Sequence, residues 1–329
     1  MTSNFFTPIV GQTQAVELLT QAIHRQRIAP AYLFVGPNGV GRSLTARCFV
    51  EQVFCFNLAP PKQQQVRQRV QLKNHPDLLW VQPTYLHQGQ RLTAAEATAA
   101  GVKRKAPPIV RIEQIREISQ FLSRPPLEAP RNVVVLEQAE AMPESAANAL
   151  LKTLEEPGQA TIILIAPAVE SLLPTIVSRC QRIPFYRLDT TQIAQVLQQT
   201  GHTEILTRSP EVLAIAQGSP GDAISGSQQL AAIPIELLQN VRQPPQSLRE
   251  ALELAKQIDK TLDTEAQLWL VDYLQHAYWQ QYLSGTASNP ISLLEKAKEF
   301  LLAYAQPRLV WEVTLIEISQ SHLNHVEVN

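Results

Sequence analysis

The chain has 329 residues, 45% of them hydrophobic, and a formal net charge of -1. This length has room for two or three cores, and the near-neutral charge argues against a protein that holds nucleic acid alone, since such proteins usually carry a marked basic excess. It contains neither a run of about 18 apolar residues nor a basic N-terminal start followed by an apolar stretch, so we expect a soluble cytoplasmic protein without a signal peptide.

The first 185 residues alternate helical and strand patterns, which is typical of a parallel α/β sheet built from βαβ units. The pattern predicts helices at 12–26, 43–56, 111–122 and 144–156, and strands at 31–35, 78–81, 132–136 and 161–165. Two polar stretches, 57–76 and 84–108, lack periodicity and are interpreted as surface insertions. The basic cluster Lys103-Arg104-Lys105 in the second stretch favours a solvated loop over a phosphate site.

After Pro184 the strand signals fade and the remaining pattern is helical. Breaks rich in Gly, Ser and Pro divide this part of the chain. We therefore predict an α/β domain at 1–186, a small helical domain at 187–235 and an all-helical domain at 236–329.

The segment Gly36-Pro-Asn-Gly-Val-Gly-Arg-Ser43 has the spacing of a loop that surrounds phosphates with backbone N–H groups and a helix N-terminus. Its candidate nucleotide-binding residues are Gly36, Gly39, Gly41, Arg42 and Ser43. Arg42 stands where this motif has lysine, and a planar guanidinium cannot simply replace the point contact of an ammonium. Two interpretations stay open: a relic loop kept for packing, or weak nucleotide binding without hydrolysis.

The predicted strand 132–136 is followed by Glu137-Gln138, where a nucleotide hydrolase needs an acidic pair. Glu137 has the chemistry to approach a metal ion. Gln138 is an amide and cannot polarise water as a carboxylate does. The pair therefore indicates that hydrolysis is lost, although it also fits a strand that simply ends at the surface.

Two further segments, Ala147-Asn-Ala-Leu-Leu-Lys-Thr-Leu-Glu-Glu-Pro157 and Leu173-Pro-Thr-Ile-Val-Ser-Arg-Cys-Gln181, are the most specific signatures in the chain. Together with the loop at Gly36 and with Gly11-Gln12, they resemble the AAA+ clamp-loader family of bacterial DNA polymerase III over residues 5–226. The resemblance implies an AAA+ P-loop-type sheet domain at 1–186, a helical lid at 187–235 and an oligomerising helical collar at 236–329.

Within that family the chain most resembles the delta-prime class of subunits, which closes one end of an arc of related subunits and supplies an arginine to a neighbour. The resemblance assigns this role to Arg179, inside the motif Ser178-Arg179-Cys180. An arginine from an adjacent subunit stabilises the charge that spreads over the γ-phosphate during transfer. Taken alone, Arg179 would be interpreted as a surface arginine or a member of a structural ion pair.

Two more positions depart from the motor subunits of the family. Ala166 directly follows the predicted strand 161–165, where active relatives have Thr or Asn, and Gly221 stands where they have an arginine over the nucleotide. With Arg42 and Gln138, these departures lead us to expect no intrinsic ATPase, in a subunit of the DNA polymerase III holoenzyme, a DNA-directed DNA polymerase assembly. The alternatives are an active ATPase motor of the gamma/tau type and a nucleotide-gated regulator outside replication.

The resemblance implies as partners an ATPase subunit of the gamma/tau type and a delta-type subunit, with the sliding clamp and primed DNA reached through the assembly. No cofactor is certain, and ATP binding at residues 36–43 stays open. The delta-prime class usually carries a four-cysteine zinc module after the P-loop helix. Here Cys48 and Cys55 lie on one predicted helix, residues 57–76 contain no cysteine, and His75 is a poor third ligand, so we expect no zinc.

The C-terminal part has apolar residues at helical spacing. An amphipathic face of this kind is explained equally by the domain's own core and by the implied collar interface. Trp269, Trp279 and Trp311 fit either as interface anchors or as ordinary core residues. The sequence leaves this choice open.

Overall fold

A computed structural model describes residues 5–102, 106–156, 158–283 and 290–328, with the side chains of 322–328 left out. The predicted loop Lys103-Arg104-Lys105 lies outside the described residues. The chain divides into two compact units, one consisting mainly of the residues up to Val196 and the other of those from Leu197 onward. The finer division at 186/187 and 235/236 stays a prediction.

A five-stranded parallel sheet forms the centre of the first unit, and its strand order is β2-β5-β6-β1-β7. A separate antiparallel hairpin consists of β3 and β4. The strands are β1 Ala31–Val35, β2 Leu78–Val81, β3 Tyr85–His87, β4 Gln90–Leu92, β5 Val133–Leu136, β6 Thr161–Ala166 and β7 Gln181–Pro184. The four predicted strands are confirmed. The central strands β5 and β6 are buried at every residue, as apolar runs in a parallel sheet predict.

Helices of the first unit pack against this sheet and share its hydrophobic core. They are α1 Thr13–His24, α2 Arg42–Phe54, α3 Pro60–Gln71, α4 Ala94–Ala99, α5 Ile112–Leu122, α6 Glu144–Glu155 and α7 Pro174–Val177, and α8 Thr190–Gln199 leads into the second unit. Ile115 and Ile118 of α5 and Leu150 of α6 pack in one core cluster with strand residues such as Leu164. The apolar faces of α5 and α6 are therefore buried against the sheet.

Both polar stretches that we interpreted as aperiodic insertions contain regular structure. Residues 57–76 include α3, and residues 84–108 include β3, β4 and α4. The helices α3 and α4 each bury a single residue, Val70 and Ala97, so they produce no apolar periodicity for a sequence pattern to detect. Instead, α4 is stabilised at its start by a capping box between Thr93 and Glu96.

The described residues of the second unit form helices and connecting loops without strands, as predicted. Its helices are α9 Glu204–Arg208, α10 Pro210–Ala216, α11 Pro220–Ala232, α12 Ile235–Val241, α13 Leu248–Thr261, α14 Thr264–Leu283, α15 Ile291–Leu302 and α16 Pro307–Val328. Within the part of the chain that the structure covers, no helix has both the length and the apolar character needed to cross a bilayer.

Trp311 is a core residue of this second unit. It is fully buried, and its Nε1–H donates to Gln267 Oε1 at 2.9 Å. The Gln267 amide in turn donates to Leu262 O at 2.9 Å. By contrast, Trp279 is 38% exposed and stacks on Tyr282 with 5.6 Å between ring centroids. The structure therefore separates tryptophans that the sequence could not distinguish.

Candidate functional site

The loop from Gly36 to Ser43 joins β1 to α2, as predicted. A Cβ on Gly36 would lie 2.3 Å from the backbone oxygen of Phe185, so only glycine fits there. Gly39 and Gly41 have φ values of +69° and +101°, a region that favours glycine, and Gly41 is the N-cap of α2. The glycines thus give the chain the backbone of a phosphate-binding loop.

Arg42 is the first residue of α2, and its guanidinium is folded back onto the loop. Its Nη2 donates a hydrogen bond to Asn38 Oδ1, four residues earlier. In a phosphate-binding loop the side chain at this position extends to the β and γ phosphates. In this chain the cation contacts the loop itself.

Glu140 is a further carboxylate near Arg42 of this loop, and it was not among the site residues predicted from the sequence. It lies three residues beyond Glu137 and is partly buried, and its Oε2 has no hydrogen-bond partner among the described residues. Burial raises the pKa of this carboxyl, and the positive charge of Arg42 offsets part of that rise. The sequence feature that could have indicated it is the presence of a further acidic residue just after the Glu137-Gln138 pair.

Ser43 and Glu137 lie close enough to line one pocket. Both line a cavity of about 200 Å³, whose other lining residues include Arg47, Lys73 and Trp80. The Glu137 carboxylate accepts a hydrogen bond from the Gln82 amide. Gln138, in contrast, is exposed, with a left-handed φ of +50°.

The departures at Ala166 and Gly221 lie on different elements. Ala166 is the buried last residue of β6, paired in register with Val35 at the end of β1, and its side chain has no hydrogen-bonding group. Gly221 is the second residue of α11, in the second unit. The N-cap of that helix, Ser219, accepts a hydrogen bond from the backbone N–H of Asp222 at 3.1 Å.

Gln12 connects the nucleotide loop to the chain that follows β7. Its side chain is buried, and its amide donates to Val40 O at 3.2 Å and to Tyr186 O at 2.7 Å. Its Oε1 accepts from the backbone N–H of Tyr186 at 3.0 Å. Gln12 is thus a structural support for the loop.

The Ser178-Arg179-Cys180 motif directly follows α7. Ser178 Oγ donates to Thr175 O at 3.0 Å. Arg179 is 36% exposed, and it donates through Nη1 to Thr175 O at 2.9 Å and through Nη2 to Glu155 Oε1 at 2.7 Å. Burial raises the pKa of the Cys180 thiol to about 11, so this sulfur stays protonated at neutral pH. Within this motif, Arg179 is the side chain that is both charged and accessible to solvent.

Cys48 and Cys55 are free thiols, and both are buried. Burial, followed by the nearby charge of Glu51, raises the pKa of both thiols to about 11. His75 packs against Phe54 with 4.6 Å between ring centroids. Among the described residues, no three His, Cys, Asp or Glu side chains are grouped to hold a metal ion. The absence of zinc stays a prediction.

Comparison with known proteins gives matches along nearly the whole described chain. Residues 11–189, more than half of the chain, match the family model described as DNA polymerase III, delta subunit. Residues 191–318 match the model for the cyanobacterial DNA polymerase III delta prime C-terminal domain. The two matches meet near the boundary between the compact units.

Relatives include DNA polymerase III subunit delta' of Bacillus subtilis, 31% identical over 185 residues, which are 55% of this chain and 50% of the relative. The Pseudomonas aeruginosa subunit delta' is 31% identical over 211 residues, 62% of this chain and 57% of the relative. The tau/gamma subunit of Haemophilus influenzae is 28% identical over 236 residues, 69% and 31% of the two chains. The chain thus spans only about half the length of the delta' relatives.

A solved structure shares the fold. It is the DNA polymerase III gamma subunit-related protein of Thermotoga maritima, with a TM-score of 0.50 and 19% identity, covering 94% of this chain and 99% of that one. At this identity the likeness shows the fold alone, and it agrees with the predicted AAA+ sheet domain followed by helices. From the family matches, the chain belongs to the DNA polymerase III delta-prime family of AAA+ clamp-loader subunits.

Proposed function

We propose that the chain is a non-catalytic subunit of the DNA polymerase III clamp loader, which helps to load the sliding clamp on primed DNA. In this assembly Arg179 acts on ATP bound to a neighbouring ATPase subunit. The observation that carries the proposal is the placement of Arg179: its guanidinium is partly exposed just after α7 and is held by two hydrogen bonds from Nη1 and Nη2.

The physical reason for a trans-acting arginine is charge. Phosphoryl transfer spreads negative charge over the γ-phosphate oxygens, and an arginine supplied by an adjacent subunit is worth about 10³ to 10⁵ in rate in the best-studied cases. A guanidinium carries five N–H groups. Arg179 uses two of its nitrogens on Thr175 and Glu155, which leaves donors for phosphate oxygens.

The chain's own nucleotide loop supports a passive role. Arg42 bonds to Asn38 rather than projecting from the loop. Gln138 and Ala166 lack the carboxylate and the hydrogen-bonding group that hydrolysis would use at those positions. We infer that the loop was kept for its structural part in the fold and that the chain alone does not turn over ATP.

The proposed partners are an ATPase subunit of the gamma/tau type and a delta-type subunit, with clamp and DNA reached through them. Support comes from the similarity to both delta' and tau/gamma relatives. The helical C-terminal domain is the proposed collar. Its last three helices expose large apolar side chains, as an interface requires: Trp279, Tyr282, Leu283, Phe300, Leu302, Leu309 and Val313. The cytoplasmic location stays a prediction.

The test is the DNA- and clamp-stimulated ATPase rate of the reconstituted loader with natural chain or with Arg179→Ala, after both are shown to assemble equally. We expect a loss of at least about tenfold, since the best-studied trans-acting arginines are worth about 10³ to 10⁵ in rate. Arg182→Ala is the matched control, since Arg182 is an exposed arginine of β7 three residues away. An unchanged rate with Arg179→Ala would reduce the chain to a scaffold.

One observation favours a second candidate, an active motor of the gamma/tau type. Ser43 and Glu137 line the same cavity, as the metal-binding residues of a working P-loop would. This candidate requires the purified chain to hydrolyse ATP by itself, and Ser43→Ala to abolish that turnover. No turnover above background would exclude it.

A further inference from the structure

We propose that Glu155 is a positioning residue for Arg179, orienting its guanidinium toward the site at which a neighbour's nucleotide is bound. This inference rests on the proposed function of Arg179. It starts from one contact: Glu155 Oε1 accepts a hydrogen bond from Arg179 Nη2 at 2.7 Å, between residues 24 positions apart in the chain.

The two hydrogen bonds of the guanidinium come from different elements. Thr175 O belongs to α7, the short helix just before Arg179, and the Glu155 carboxylate belongs to the last residue of α6. An arginine side chain has much rotational freedom. Because its guanidinium is a rigid planar group, each additional hydrogen bond costs little further conformational entropy. One bond within its own turn leaves the plane of the guanidinium free to rotate. The second bond, from another helix, fixes that plane.

The position of Glu155 is not explained by the stability of α6. A helix C-terminus carries partial negative charge, so a carboxylate there is unfavourable and a cation would be preferred. Glu155 is the last residue of α6. The ion pair with Arg179 offsets this unfavourable interaction between the carboxylate and the helix C-terminus.

The pair is also exposed enough to let the arginine act. The Arg179 and Glu155 side chains are 36% and 52% exposed. Ion pairs at such exposure are weak, so Glu155 biases the direction of the guanidinium without competing effectively against a polyphosphate. Thr175 and Glu155 accept only two of the five N–H groups of the guanidinium, so others remain for the incoming anion.

The experiment measures ATP saturation curves of the reconstituted, DNA- and clamp-stimulated loader. With Glu155→Ala we expect kcat to fall about three- to fivefold, the factor that corresponds to an exposed ion pair, with little change in KM. Glu155→Gln keeps an acceptor oxygen for Nη2 and should restore most of the rate. Glu156→Ala removes the neighbouring exposed carboxylate and serves as the matched control, with an unchanged rate.

Arg179→Ala and the double variant separate this inference from the function on which it rests. Combined with Arg179→Ala, Glu155→Ala should cause no further loss. If Arg179→Ala lowers the rate while Glu155→Ala leaves it unchanged or raises it, the positioning role is overturned and the trans-arginine function stands. A Glu155→Gln rate as low as that of Glu155→Ala also overturns positioning by hydrogen bond. If Arg179→Ala has no effect, the proposed function itself fails.

Discussion

Gln12 and Tyr186 exchange two hydrogen bonds across 174 residues of chain. The Gln12 amide donates to Tyr186 O at 2.7 Å, and the backbone N–H of Tyr186 donates to Gln12 Oε1 at 3.0 Å. The same amide also donates to Val40 O inside the nucleotide loop, at 3.2 Å. One buried side chain therefore holds the start of α1, the loop after β1 and the segment after β7 together.

Replacing Gln12 with alanine should destabilise the chain by about 2 to 3 kcal/mol, because buried backbone groups would lose their partners. The measurement is the free energy of unfolding in urea. Gln21→Ala is the matched control, since Gln21 is an exposed glutamine on the same helix, and its cost should stay within about 0.5 kcal/mol. Equal costs for the two variants would contradict a structural role for the Gln12 bonds.

Asp77 holds the loop before β5 through three backbone hydrogen bonds. Its buried carboxylate accepts from the N–H groups of Leu127, Glu128 and Ala129 at 2.7 to 2.8 Å. Asp77→Asn replaces one acceptor oxygen with a donor that faces other donors. We expect a loss of about 2 to 3 kcal/mol in the free energy of unfolding, since hydrogen bonds to charged groups are the stronger kind.

The control for this variant is Glu170→Gln, the same charge-to-amide change at an exposed position of the first unit. Urea unfolding of both proteins should show a clear loss for Asp77→Asn alone. A second readout is the hydrogen-exchange rate of the amides at 127–129, which should rise selectively. Unchanged exchange at these amides would show that the carboxylate does not hold the loop.

His75 should make stability depend on pH. Burial lowers the pKa of its imidazole, helped by the charge of Arg69, while Asp77 and Glu128 act in the opposite direction. Because the folded-state pKa lies below the unfolded value of about 6.5, the unfolded chain takes up a proton first as the pH falls. The contribution of His75 is therefore complete above about pH 6.5 and is lost as the pH drops below it.

The comparison uses His75→Asn, whose Oδ1 keeps an acceptor for the bond from Asp77 N–H to His75 Nδ1. Between pH 7.5 and 5.5, the free energy of unfolding should fall less for His75→Asn than for the natural chain. At pH 8 the imidazole is neutral, so the difference in the free energy of unfolding between the two proteins there gives the cost of the substitution that does not depend on protonation. Parallel pH curves for the two proteins would show that His75 does not carry this dependence.

Much of the fold was readable from the sequence because it depends on local patterns. The strands β1, β2, β5 and β6 are apolar runs, and the nucleotide loop has fixed glycine spacing. The strand β7 was missed because, unlike β2 at the opposite edge of the sheet, it has no apolar run: Ile183 is fully buried, while Gln181 and Arg182 stay exposed. An edge strand needs no apolar run, so periodicity could not reveal it.

The candidate site was predicted at the level of motifs but not at the level of contacts. The sequence placed Arg42, Glu137 and Arg179 on their loops, since each lies inside a motif. The contacts of these residues with Asn38, Gln82 and Glu155 depend on side-chain directions. The last two also depend on chain segments that meet only in the folded protein, 55 and 24 residues apart. No pattern along a single sequence records such directions.

Arg42→Lys tests whether the loop's own contact weakens nucleotide binding. The guanidinium of Arg42 donates to Asn38 Oδ1 and lies near the carboxylate of Glu140. A lysine has a compact ammonium on a flexible stem, so it loses the planar fork and gains the point contact that phosphates accept in P-loops. We expect ADP to bind the variant at least about tenfold more tightly, a change of about 1.4 kcal/mol.

Titration calorimetry of the purified chain with ADP measures this affinity, and Arg25→Lys, an exposed arginine after α1, is the control that should leave it unchanged. ATP turnover should remain at background in the Arg42→Lys variant, because Gln138 still lacks a carboxylate and Ala166 still lacks a hydrogen-bonding group. Tighter ADP binding without ATP turnover would show that Arg42 weakens nucleotide binding and that other residues account for the loss of hydrolysis. Turnover restored by this single change would instead mean that Arg42 alone had silenced a working ATPase.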